Sequence, residues 1–208
     1  MADRVMLDLG YYSETKNSII VKATKLFAVK GFSAVSTRDI AKAVGMNIAS
    51  IYYYYESKDA LLDDIFENVE KGYRHYYDWL VNENQKADSM EELLDAIFNQ
   101  ELLEMTDSMV CLGISLAVKE QHSNTRARKF VAELLADYSI RSIQAGFDGL
   151  IEKGIIKPFA TKALATLLVL SAVGINDLRL HEYDGGEPII NHEEIYSSVK
   201  KYIYDVHQ

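Results

Sequence analysis

Only two prolines, Pro158 and Pro188, stand in a chain of 208 residues. Proline removes a backbone donor and clashes with the preceding helical turn, so its scarcity leaves long stretches free to run as uninterrupted helices. Apolar residues use that freedom at three-and-four spacing. From about Thr15 to Lys30 they put Ile19, Ile20, Ala23, Leu26 and Phe27 on one face, and Gly31 stops the run. After Ser57, a suitable N-cap, Leu62, Ile65, Phe66, Val69, Tyr73, Tyr76 and Leu80 hold one face. Further helices are expected from Asp88 or Ser89 to about residue 107, Ser108 to Lys119, Asn124 to Lys153, Thr161 to His181 and Asn191 to Val206. The third of these would turn Phe130, Val131, Leu134, Leu135, Tyr138, Ala145 and Leu150 inward. The turn Asp184-Gly185-Gly186-Glu187-Pro188 separates the last two. No strand-like alternation of useful length appears, nor any repeat. The expected fold is all-α, with about nine helices.

The most specific segment is residues 36–61. Ile40, Ala41 and Val44 form the apolar stripe of a short helix, and Gly45 ends it by taking positive φ without steric cost. A second helix, about Ile48 to Tyr54, is too short to stand alone. Ile51 and Tyr55 can anchor it, leaving Asn47, Ser50, Tyr52 and Tyr53 to face outward. Four consecutive tyrosines, Tyr52 to Tyr55, cannot all point inward when successive residues turn about 100°. Two short helices joined by a glycine turn form the unit that seats its second helix in the DNA major groove.

The stretch Thr37-Arg38-Asp39-Ile40-Ala41-Lys42-Ala43-Val44-Gly45, followed by Ile51-Tyr52-Tyr53-Tyr54-Tyr55-Glu56-Ser57-Lys58, resembles the N-terminal domain of the TetR family of transcriptional regulators. The likeness covers about residues 15–62. Ile51 stands where Leu is usual, Tyr53 where His is common, Tyr55 where Phe is usual and Ile48 where Lys or Arg is frequent. The resemblance implies DNA contacts from Thr37, Arg38, Asn47, Ile48, Ala49, Ser50, Tyr52, Tyr53 and Lys58. It also implies a three-helix helix-turn-helix DNA-binding domain at residues 1–57 and a larger helical effector-binding and dimerisation domain at 58–208. The implied activity is that of a ligand-responsive regulator, a repressor released from a palindromic operator by a small apolar or aromatic effector. The alternative is a helical small-molecule-binding or scaffold protein whose helix-turn-helix is vestigial.

Charge distribution agrees with a nucleic-acid partner at one end. Residues 1–60 hold eight Lys or Arg against six Asp or Glu, whereas residues 61–208 hold fourteen against twenty-five. An overall charge of −9 thus conceals a slightly basic head. Hydrophobic residues at 49% and charged residues at 25% describe an ordinary globular chain. No uninterrupted run of about 18 apolar residues occurs, so no membrane partner is expected. The single cysteine, Cys111, excludes an intrachain disulfide and suits a reduced cytoplasm.

Chemistry is sparse. His75, His122, His181, His192 and His207 are scattered without metal-ligand spacing, and no phosphate-cradling loop or nucleophile elbow is present. No metal, no cofactor and no catalysis are expected. Tyr76, Trp79, Phe98, Met105, Met109, Phe130 and Tyr138 are candidates to line an effector cavity, or are ordinary core. Asn176, with Asp177 and Arg179, could meet a ligand, a second subunit or solvent. Leu168, Ala172, Ile195 and Val199 are expected at a homodimer interface built from the last two helices.

Overall fold

The computed structural model describes residues 13–98, 109–183, 187 and 191–207. Within them the chain is all-α, with nine helices and no strand. α1 (Glu14–Lys30), α2 (Thr37–Val44) and α3 (Ile48–Tyr54) form the N-terminal group. α4 (Lys58–Lys86) carries the chain away from it, and α5 (Met90–Ile97) and α6 (Met109–Glu120) follow. Segments Thr125–Lys129, Phe130–Tyr138 and Ser139–Glu152 run end to end as one long helix, α7. α8 (Thr161–Tyr183) and α9 (His192–His207) complete the order. The expected continuation of α5 to residue 107 and most of the 184–188 turn lie outside the described residues.

Side-chain caps set most of the boundaries. Ser13, Asn47, Ser57, Ser89 and Asn124 each accept a backbone N–H of their own first turn. Ser36 caps α2, and Thr37 is its first residue. There the Ser36 hydroxyl and the Asp39 carboxylate bond reciprocally to backbone N–H groups. The Ser36 hydroxyl, then the Ser36 backbone N–H, hold the Asp39 carboxyl below its ordinary range.

Two apolar cores result. The first runs without a break from α1, α2 and α3 through the first half of α4 to α6 and residues 127–135. The second joins α5, the latter part of α7, α8 and α9. Residue 57 is therefore no gap in the packing: Leu61, Leu62 and Ile65 of α4 lie in the same cluster as Ile20 and Ile51. α4 and α6 touch closely because Gly113 has no side chain; a Cβ there would lie 2.1 Å from Val69 Cγ2.

α7 departs from the expected regular helix in its middle, where Phe130–Tyr138 is wound as a π-helix. The Ser139 hydroxyl donates to the Leu134 carbonyl at 3.0 Å, bridging the wide turn. Its single proton being spent there, Ser139 Oγ accepts from the Tyr73 hydroxyl at 2.7 Å. This winding rotates the faces that follow. Ala145, expected inward, is exposed, and Gly146 is buried against Leu93 and Asn84.

α8 buries Ala165, Leu168, Val169 and Ile175 and leaves its other side bare. Over Thr161–Leu178 the mean hydropathy is 1.3, yet only 28% of that window is buried. By averaged hydropathy α8 thus comes nearer to a membrane span than a count of uninterrupted apolar residues suggests. One face of it is docked on the fold: Asn176 donates to the Cys111 carbonyl at 3.0 Å and to Ser115 Oγ at 2.7 Å on α6.

Candidate nucleic-acid interface

Gly45, with φ of 80°, takes the left-handed conformation that turns the chain between α2 and α3. α3 has seven residues and little stability of its own. Ile51, 2% exposed, and Tyr55, 6% exposed, pin it to the core. The opposite side is open: Tyr52 is 53% and Tyr53 is 84% exposed, and Ala49 and Asn47 are exposed beside them. Ser50 is half-buried, and Ile48 is half-buried and packs on the core, offering only its edge. On α2, Arg38 and Lys42 are exposed and Thr37 is half-buried. The residues expected there on α2 and α3 are thus all at least partly exposed, whereas Lys58 is committed to the fold.

Lys58 faces inward. Its ammonium donates to the carbonyls of Phe32 and Val35, both at 2.8 Å, and sits 4.2 Å from the centroid of the Phe32 ring. Two of its three N–H groups thus close the α1–α2 loop onto the start of α4. This clamp is not readable from the sequence, where Lys58 resembles a phosphate ligand. Lys58→Ala is expected to cost about 1 kcal/mol, the net value of such bonds at a half-exposed site. Thermal unfolding together with proteolysis of the 31–36 loop checks it.

Further contacts join this surface to the rest of the molecule. The Tyr55 hydroxyl donates to Asp64 Oδ2 at 2.7 Å, Lys16 pairs with the same oxygen at 2.9 Å, and the Asn68 amide donates to the Asp64 carbonyl at 2.7 Å. From α6, Lys119 donates to the Ala28 carbonyl at 2.7 Å, and Glu120 Oε1 accepts the Phe32 N–H at 3.2 Å. Sequence reasoning missed Lys119 and Glu120, because partners about 90 residues apart leave no local pattern.

Residues 19–65 match the family described as bacterial regulatory proteins, tetR family. The chain carries the N-terminal domain of the TetR family. Curated relatives match part of the chain. The Bacillus subtilis (strain 168) protein named "Probable HTH-type transcriptional regulator YttP" is 34% identical over 85 residues, 41% of each chain. The Staphylococcus epidermidis biofilm operon icaADBC negative transcriptional regulator IcaR is 24% identical over 119 residues, 57% of this chain and 62% of that one. The chain thus spans less than two thirds of the length of these relatives, which are named as regulators and not as enzymes. Among solved structures, the TetR-family regulator PfmR from Thermus thermophilus superposes with a TM-score of 0.66 at 21% identity, covering 93% of this chain and 97% of that one. A gamma-butyrolactone receptor superposes with a TM-score of 0.62 at 17% identity over 92% and 97%. These likenesses extend the shared fold beyond the TetR-family domain to nearly the whole chain.

Most of the described candidates for an effector cavity divide between the two cores. Phe130 is 1% exposed and belongs to the core, edge-on to Tyr73 at 5.3 Å between ring centroids. Met109 and Tyr138 are half-buried against the same cluster. The Tyr138 hydroxyl donates to Asp78 at 2.8 Å, and burial, then that carboxylate, push its pKa up. Trp79 is half-buried, and Phe98 packs on the second core with its ring 5.7 Å from that of Tyr196. Met105 and the side chain of Tyr76 lie outside the described residues. Asn176, left open between three readings, is turned to α6.

The dimer candidates divide. Leu168 is 8% exposed and packs within its own subunit, so it cannot face a partner as expected. Val199 likewise packs on its own core, and Ile195 is half-buried. Ala172 is exposed, beside Leu167 and Leu170, each 61% exposed. The reason is rotational: α8 is apolar on nearly every side, so composition alone does not say which stripe its neighbours cover.

Proposed function

We propose that the protein is a ligand-responsive, DNA-binding transcriptional regulator that works as a homodimer in the cytoplasm, a repressor released from a palindromic operator. The observation carrying this reading is the exposed face of α3. Phenols as open as those of Tyr52 and Tyr53 on a seven-residue helix lie outside the core, and they suit phosphate and groove contacts. Residues 1–57 act as the reading head and 58–208 as the sensing and dimerising part. α4, bonded to the head through Lys58 and Asp64, carries the displacement between them. Two heads then meet half-sites about 34–36 Å apart, and an effector shifts the population toward a spacing that no longer fits. An apolar or aromatic small molecule suits the tyrosine-rich region around Tyr73, Tyr77 and Tyr138. The name of IcaR as a negative regulator and that of the gamma-butyrolactone receptor support the repressor and sensor halves by analogy.

Fluorescence anisotropy with DNA selected from a random pool, repeated across salt concentrations, tests the reading. Arg38→Ala should lower the slope of log affinity against log salt by about one unit, as loss of one phosphate contact requires. Tyr53→Ala should weaken binding by about two- to tenfold, one neutral hydrogen bond, and leave that slope unchanged. Absence of any salt-dependent DNA affinity would favour the scaffold alternative.

A further inference from the structure

Resting on the DNA-binding reading above, we infer that α3 reads thymine methyl groups, so that the operator half-site is A·T-rich where this helix enters the major groove. The commonest specific contact in that groove is Arg or Lys to guanine O6 and N7. α3 is Ile-Ala-Ser-Ile-Tyr-Tyr-Tyr and has neither. The nearby cations lie elsewhere. Arg38 and Lys42 are on α2, the helix that crosses the phosphate backbone in this unit, and the Lys58 ammonium is turned to Phe32 and Val35.

The short polar side chains at the start of α3 are committed to each other. Asn47 Oδ1 accepts both the Ser50 N–H at 2.8 Å and the Ser50 hydroxyl at 3.0 Å. That arrangement leaves Ser50 Oγ with lone pairs alone, matched to an exocyclic amine of adenine or cytosine and opposed to both acceptors of guanine. Asn47 keeps the two N–H donors of its one amide nitrogen. Apart from the two phenol hydroxyls, the rest of the exposed surface is carbon: the Ala49 methyl, the edge of Ile48 and the rings of Tyr52 and Tyr53. Carbon discriminates in the major groove through the C5-methyl of thymine, which no other base of unmodified DNA carries.

Uracil replaces thymine without altering any hydrogen-bonding edge, so it removes this signal alone. The experiment selects DNA with the full chain, then exchanges each thymine of the enriched half-site for uracil singly and measures affinity at fixed salt. At one or more positions the exchange should weaken wild-type binding by about fourfold, the value of one buried methyl. Ala49→Gly should erase the thymine-to-uracil ratio at one of those positions, whereas Arg38→Ala should weaken both DNAs and preserve the ratio. Binding that tolerates uracil at every position overturns the inference and leaves the DNA-binding reading standing. So does a half-site dominated by a guanine whose effect vanishes in Arg38→Ala. Failure to enrich any DNA overturns both.

Discussion

Leu167→Glu combined with Leu170→Glu is expected to turn a dimer into a monomer in sedimentation velocity at micromolar concentration. It should also weaken operator binding by about 10²–10⁴-fold, the avidity lost when two linked heads bind separately. Leu167 and Leu170 are each 61% exposed, Leu178 is 42% exposed, and Tyr202 and Val206 on α9 are 67% and 52% exposed. With Ala163 and Gly174, also exposed, the α8 leucines fall at three-and-four spacing along one side of the helix. Nothing lies within 4 Å of a Cβ built at Gly174, which leaves room for close helix approach. A self-complementary pairing of α8 and α9 with the same helices of a second copy covers this stripe as a four-helix interface. Leu168→Glu separates surface from core: it buries a carboxylate in its own subunit and should lower the thermal midpoint instead. A wild-type chain that sediments as a monomer, or a double variant that remains dimeric, refutes the interface.

Gly113→Ala should destabilise the fold by about 1–3 kcal/mol, the usual cost of forcing volume into a packed core. At this chain length each kcal/mol lowers the midpoint by about 2–4 °C, which differential scanning calorimetry resolves. The added Cβ meets the Cγ2, Cγ1 and Cβ atoms of Val69 at 2.1, 2.9 and 3.0 Å, and Val69 is fully buried. The strain falls between α4 and α6, the two helices that hold the reading head through Lys58 and Glu120. DNA affinity should therefore change along with stability. Gly149→Ala is the control, because it sits in α7 with no atom within 4 Å of the new methyl. Helix propensity alone should make that change neutral or stabilising by up to about 1 kcal/mol. Equal midpoints for the two variants would show that α4 and α6 separate without cost.

Local chemistry made much of the molecule legible in advance. Caps, glycine stops and apolar stripes act over three or four residues, so α3 falls at Ile48–Tyr54 as expected, and Ile51 and Tyr55 are the anchors. Sequence by itself determined the helical class, the helix-turn-helix and its tyrosine-rich outer face. What it leaves open depends on partners distant along the chain. Whether Lys58 meets phosphate or the Phe32 carbonyl, whether Leu168 faces a partner or its own core, and whether Ala145 or Gly146 points inward are questions of rotation and reach. Only the packed arrangement of α4, α6, α7 and α8 decides them, because a long cation has many acceptors within its length and an all-round apolar helix has no preferred face. The π winding at Phe130–Tyr138 belongs to the same class: it is held by Ser139 bonded at once to Leu134 and to Tyr73 of another helix, a contact that exists only once the chain has folded.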